Sequence, residues 1–315
     1  MKIVFMGTPQ FAVPSLEKIH AEHEVVAVIT APDKPAGRGK KVSESAVKKA
    51  ALAMGLPVMQ PSNLKDEDFQ AELKSLGGEV FVVVAFRMLP DAIWQIPPKG
   101  TINLHASLLP QYRGAAPINR AIMNGETTTG LTTFFIKSEI DTGAIIQQVR
   151  MEIGPDETAG ELHDRMMVEG ASLLLSTLED LKRGEVEPIA QETLYEGGEI
   201  KQAPKLFRED REIDWNRPDR EVHNQIRGLS PYPGAFAVTR AGAEVKILLT
   251  AMVDDRGMNG EGPGAVHFEE DRVFVQTQTR PLEILRMQMP GKRAMDTPEI
   301  LRGLRNREEL DFSRG

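Results

Sequence analysis

Asn103 and His105 stand two apart at the end of Gly100–His105, a run whose composition reads as a β-strand. Residues two apart on a strand point to the same face, so one spot beside it can feel both an amide donor and an imidazole. Such a pair can stabilise an oxyanion and handle a proton. Asp141-Thr142-Gly143 follows a second strand, Leu131–Ile136. Alone, the triplet is an ordinary turn, and a lone histidine is more often a surface or satisfied core residue. Position raises their interest, because ligands of open α/β sheets bind beyond the carboxyl ends of strands. If neighbouring strand ends bring Asp141 to His105, the carboxylate would fix the imidazole's tautomer and orientation.

The elements that must do this positioning alternate along the chain. Lys2–Met6, Val25–Thr30, Leu56–Met59, Val80–Ala85, Gly100–His105 and Leu131–Ile136 read as strands. Val80–Ala85 is unbroken and apolar, as at the buried centre of a parallel sheet. Between them, helical spacing marks the stretch after Pro9, Ser45–Met54, Asp66–Leu76 and Ala116–Asn124. A long helix follows in Glu157–Arg183, where Thr158 and Glu161 have capping-box spacing. This alternation predicts an α/β domain over residues 1–190, Rossmann-like, with a mostly parallel sheet. Residues 191–205 are polar, with Gly197-Gly198 and Pro204, and read as a linker. Over residues 206–315 one helix, Pro218–Leu229, precedes five short alternating runs, Ala235–Thr239, Glu244–Ala251, Gly264–Phe268, Arg272–Thr277 and Leu282–Gln288. That count suits a smaller OB-type β-barrel domain.

Composition excludes several chemistries. With no cysteine among 315 residues, disulfides, thiolate metal sites and cysteine nucleophiles are out. There is no HExxH, P-loop or G-x-S-x-G, and no metal site is expected. Gly7-Thr8-Pro9 puts proline where a dinucleotide fingerprint needs its second glycine, so it reads as a tight strand-to-helix turn. The apolar N-terminal run is too short for a signal sequence, and nothing approaches the ~18 apolar residues of a membrane span. A cytoplasmic location and a monomer are the expectation. The net charge of −8 opposes indiscriminate nucleic-acid binding. Locally, however, Lys34, Arg38, Lys40, Lys41, Lys48 and Lys49 face only Glu44 over 16 residues. The Pro- and Gly-rich part of this stretch, Pro32–Lys41, reads as an exposed basic loop suited to a phosphate backbone.

At Asn103-Leu104-His105-Ala106-Ser107-Leu108-Leu109-Pro110 the sequence resembles the folate-dependent formyltransferase superfamily. Arg113-Gly114-Ala115-Ala116-Pro117, Asp141-Thr142-Gly143, Ile213-Asp214-Trp215 and Gly291–Met295 extend the resemblance over the whole chain, toward the formyltransferases that act on methionyl-tRNA. The resemblance implies a catalytic set of Asn103, His105 and Asp141, and folate contacts from Ser107, Leu108, Leu109 and Pro110. It implies 10-formyltetrahydrofolate as co-substrate and methionyl initiator tRNA as acceptor, with Arg38, Lys40 and Lys41 meeting the tRNA. The second domain would contact tRNA as well. Two features depart from the pattern. Ala85-Phe86-Arg87 stands where relatives often carry Ala-Tyr-Gly, and the second domain mixes Arg with many acids. The rival readings are a sugar-nucleotide N-formyltransferase and a non-catalytic tRNA-binding protein on the same fold.

Overall fold

The computed structural model describes residues 1–36, 41–195, 197–253, 262–304 and 310–313; the side chains of 34–36, 41 and 42 lie outside the description. The chain forms two compact units. One comprises Met1–Gly114, Thr129–Met151 and His163–Gln202, and the other Ala115–Thr128, Glu152–Leu162 and Ala203–Gly315.

The first unit begins with β1 (Lys2–Gly7), α1 (Val13–Glu22) and β2 (Glu24–Ile29). Next come the short strands β3 (Lys34–Ala36) and β4 (Lys41–Ser43), then α2 (Ala46–Ala53), β5 (Val58–Met59) and α3 (Glu67–Ser75). Then follow β6 (Val80–Val84), α4 (Asp91–Trp94), β7 (Thr101–His105) and β8 (Arg113–Gly114). After α5 (Pro117–Met123) come β9 (Thr128–Phe135), β10 (Ile145–Glu152) and α6 (Ala159–Arg183). Seven strands form one sheet in the order β10-β9-β7-β6-β1-β2-β5. β5, β2, β1, β6 and β7 are mutually parallel, whereas β9 runs antiparallel to β7. The α/β expectation therefore holds, with an antiparallel strand beside β7. β1 and β6 are buried on both faces, as a sheet covered on two sides requires. The segment expected to be a basic loop includes a short antiparallel ribbon pairing Lys34 with Ser43 and Ala36 with Lys41. β10 was not anticipated from the sequence; its mixed residues alternate between half-buried and exposed.

The turn after β1 is as tight as Gly7-Thr8-Pro9 implies: a Cβ on Gly7 would lie 2.8 Å from Ala12 Cβ and 3.0 Å from Val84 O. The capping box also forms. The Glu161 carboxylate accepts from Thr158 N–H and hydroxyl at 2.8 Å, and Thr158 Oγ1 accepts from Glu161 N–H at 3.3 Å. Those bonds hold the Glu161 carboxyl below its ordinary pKa. Thr158→Ala is expected to cost about 1 kcal/mol in a denaturant titration.

β11 (Gln202–Ala203) straddles the boundary, and the second unit goes on with α7 (Asp219–Leu229), β12 (Ala235–Val238), β13 (Glu244–Met252), β14 (Val266–Glu269), β15 (Arg272–Gln276), β16 (Pro281–Gln288), β17 (Ala294–Asp296) and α8 (Thr297–Gly303). The antiparallel path β12-β13-β16-β15-β14, with β17 on β16, contains the five expected strands and one more. Its apolar core gathers Trp215, Val222, Ile226, Ile247, Ile284 and Phe312, among others. Composition placed everything before residue 190 in one domain, yet Ala115–Thr128 and Glu152–Leu162 group with the second unit. α7 is the reason. Arg227, 5% exposed, donates to Gly154 O at 3.1 Å and Glu157 O at 2.9 Å. Asn119 in α5 donates to Gly228 O at 2.7 Å.

Candidate active site

Asn103, midway along β7, and His105, its last residue, lie between β6 and antiparallel β9. His105 pairs in register with Thr132, and Asn103 with Phe134. The imidazole is 7% exposed, and each ring nitrogen faces an oxygen. Nε2 is 2.8 Å from the carbonyl of Tyr112. A carbonyl only accepts, so Nε2 carries a proton. Nδ1 is 3.7 Å from Asp141 Oδ2, an electrostatic contact longer than a hydrogen bond. The expected approach of Asp141 to His105 is thus present. Asn103 is half-buried, and among the described residues its amide has no hydrogen-bond partner. A donor with no internal partner can serve an outside acceptor.

Backbone conformation marks the same place. Among the described residues, four non-glycine positions have left-handed φ: Ala85, Tyr112, Asp141 and Glu270. Two of them, Tyr112 and Asp141, supply the two oxygens facing His105, and Ala85 directly follows β6. Such conformations are costly and persist where neighbours enforce them. Tyr112 is held by its N–H, which donates to Lys201 O at 2.7 Å. The Asp141 carboxylate accepts from the Gly114 N–H at 2.9 Å. The Arg113-Gly114 motif therefore contributes a backbone donor that aims the carboxylate.

The Ser107–Pro110 segment forms a rigid wall next to these groups. The Ser107 hydroxyl, fully buried, donates to Gln111 O at 2.6 Å. Thr132 Oγ1 donates to Ser107 O at 2.7 Å and accepts from Leu109 N–H at 3.2 Å. Gln148 donates to Leu109 O at 2.9 Å. The Leu109 side chain packs with Phe134 and Ile145. Leu108 is half-buried and lies over Gly130, where an added Cβ would be 2.5 Å from its Cδ2. Pro110 is buried.

Sequence reasoning missed Gln191, in the stretch read as linker. It is fully buried, while Glu192, Thr193, Leu194 and Tyr195 beside it are exposed. Its amide nitrogen donates to Asp141 O and Gly143 O, both at 2.8 Å. Its oxygen accepts from Arg113 Nε at 3.0 Å and Nη2 at 2.6 Å. Nothing in a polar stretch distinguishes one glutamine from its neighbours, so no one-dimensional signal could have found it. Arg87 is committed elsewhere: it donates to the carbonyls of Pro61 and Ser62, which help line a cavity of about 520 Å³ between β5 and α3. Arg38 and Lys40 lie outside the described residues, and the description of Lys41 stops at its backbone in β4.

Comparison with known proteins adds a family match over both parts of the chain. The family described as "Formyl transferase" matches residues 1–178, and "Formyl transferase, C-terminal domain" matches residues 205–305. The methionyl-tRNA formyltransferase of Bacteroides thetaiotaomicron is 44% identical over 309 residues, 97% of this chain and 96% of its own. That of Flavobacterium psychrophilum is 48% identical over 307 residues, 96% of either chain. Among solved structures, an N-formyltransferase from Helicobacter canadensis in complex with folinic acid and dTDP-3-aminofucose has a TM-score of 0.68 at 21% identity, covering 90% of this chain and 98% of that one. HypX from Aquifex aeolicus has a TM-score of 0.66 at 20% identity, covering 96% of this chain and 47% of that one. At such identities these structures speak to the fold alone. Among the described residues no helix is long and apolar enough to cross a membrane.

Proposed function

Because the chain belongs to the formyl transferase family, we propose that it transfers the formyl group of 10-formyltetrahydrofolate to the α-amino group of methionyl initiator tRNA. The observation that carries this reading is the 44–48% identity to methionyl-tRNA formyltransferases, maintained across both units. Support from the site is the approach of Asp141 to a buried His105 near an amide that has no partner among the described residues. The reading takes the enzyme as a cytoplasmic monomer.

The co-substrate supplies an activated formyl carbon. The neutral methionyl amine attacks it, forming a C–N bond and placing negative charge on the formyl oxygen. Asn103 donates to that oxygen, and His105 supports the charge from the same face of β7. Asp141 orients the ring and the water that carries a proton from the amine to N10 as the C–N10 bond breaks. Ser107–Pro110 forms the wall against which the folate rests; with Ser107 and Leu109 turned inward, backbone and Leu108 make that contact. Arg38, Lys40 and Lys41 meet the tRNA. Replacing these three with alanine is expected to weaken tRNA binding and flatten its dependence on log salt by about 2, roughly one phosphate contact per charge. Folate affinity should not change; a loss confined to folate would refute the assignment.

Of the rivals, the sugar-nucleotide reading rests on structures near 20% identity. A binding protein without catalysis has no use for an imidazole gripped between two strained loops. One assay decides: the protein is incubated with formyl-labelled 10-formyltetrahydrofolate and either methionyl initiator tRNA or an amino-sugar nucleotide. Label should pass to the tRNA. Label on the sugar alone, or on neither, overturns the proposal.

A further inference from the structure

We infer that Gln191 is a positioning residue, setting where the Asp141 carboxylate stands relative to His105. It saturates its hydrogen-bonding capacity with two short segments. Both amide hydrogens go to carbonyls of the 141–143 loop, and its oxygen takes two hydrogens from Arg113. Each of those segments touches the histidine pair. Tyr112, just before Arg113, gives its carbonyl to His105 Nε2, and Gly114, just after it, gives its N–H to Asp141 Oδ2. The loop carries the carboxylate itself, at a left-handed φ of 54°. One buried amide therefore fixes the distance between the two halves of a clamp whose jaws close on one imidazole.

The anchorage of Gln191 is firm. Two residues earlier, Ile189 exchanges a pair of 2.8 Å backbone hydrogen bonds with Ile145 at the start of β10. Downstream, Lys201 N–H donates to Gln111 Oε1 at 2.9 Å and Lys201 O accepts from Tyr112. The stretch that composition marks as linker is tied upstream to the start of β10 and downstream to the loop between β7 and β8, with Gln191 the buried member between them among the described residues. A buried, fully bonded polar side chain in an exposed turn specifies a geometry; an apolar residue would fill the same space with no desolvation cost.

This inference rests on the formyl-transfer reading for its kinetic test but not for its spectroscopic one. Gln191→Met keeps the volume and deletes all four bonds. Gln191→Glu keeps an acceptor for Arg113 and loses the donors to the loop. Both variants are expected to lower kcat roughly 10–100-fold, the usual range for groups that orient catalytic ligands, while KM for the folate co-substrate stays within about threefold. Combined with Asp141→Asn, which removes the charge being positioned, Gln191→Met should cost under about threefold more, a coupling that a purely structural residue would not show. The pH profile of kcat should move in the single variant. Independently of turnover, the His105 ring signals in the NMR spectrum of the Met variant should shift while those of His20 and His267 stay. Additive losses in the double variant, an unmoved His105 signal, or wild-type kcat in the Glu variant would each overturn the inference. Should the Met variant not fold, the Glu variant serves for every measurement. Absence of turnover in the wild-type protein would sink the formyl-transfer reading and leave the spectroscopic test standing.

Discussion

Asn103→Ala is expected to retain folate binding and to lose about 10²–10³ in kcat, the cost of removing one oxyanion donor. The amide sits midway along β7, two residues before His105, and is half-buried without a partner among the described residues. Its removal leaves no donor orphaned and no cavity in a packed core, so folding stability should change little. The wall proposed to hold the folate is built from other bonds, those of Thr132 and Gln148 to Ser107 and Leu109. Co-substrate affinity should therefore survive. Single-turnover kinetics with labelled formyl donor measure the chemical step, and equilibrium fluorescence titration measures folate binding. Turnover within twofold of the wild type would remove Asn103 from the mechanism, and a loss confined to binding would recast it as a recognition group.

The second large effect belongs to Gly143→Ala. A Cβ there would lie 1.6 Å from Phe135 O and 2.8 Å from Phe135 C, both backbone atoms at the end of β9. Backbone paired to β7 through Ile102 cannot yield as a side-chain tip can, so the 141–144 loop must lift. Lifting would break the Gln191 bonds to Asp141 O and Gly143 O and the bond from Phe135 N–H to Ala144 O. Overpacking of this kind costs about 1–3 kcal/mol, a fall in Tm of several degrees. The displaced carboxylate should also cut kcat at least ~10-fold, since small misplacements of catalytic groups are costly. Calorimetry and kcat read on one sample check both parts. An unshifted Tm with full activity would show that the loop has freedom which the close approach denies.

That glycine illustrates what the sequence conceals. Asp-Thr-Gly reads as a generic turn, and Gly143 looks like a residue chosen for backbone freedom. Its structural reason is space: the neighbouring strand leaves no room for a methyl group. Asn103 and His105 were legible because a period of two on a strand is local. The approach of Asp141 was only conditional, since it depends on β9 lying beside β7, and strand order leaves no mark on hydrophobic periodicity. The direction of β9 is equally silent. β10 escaped because Ile145–Glu152 lies at the sheet edge and is only partly buried. The five longer strands of the second unit announced themselves through alternation, whereas the two-residue β11 and the three-residue β17 did not. Gln191 is hidden for the opposite reason: a glutamine in a polar stretch gives no local sign that its amide saturates the joint between two loops.

The chain's path through its two units has a genetic consequence. The backbone passes from one unit to the other at 114/115, 128/129, 151/152, 162/163 and 202/203. A gene fragment ending near codon 203 would encode α5 and the first turn of α6 without α7, the helix that receives Asn119 and holds the 154–157 turn. Neither unit is a contiguous stretch of the gene, so no single cut releases either one with all of its parts.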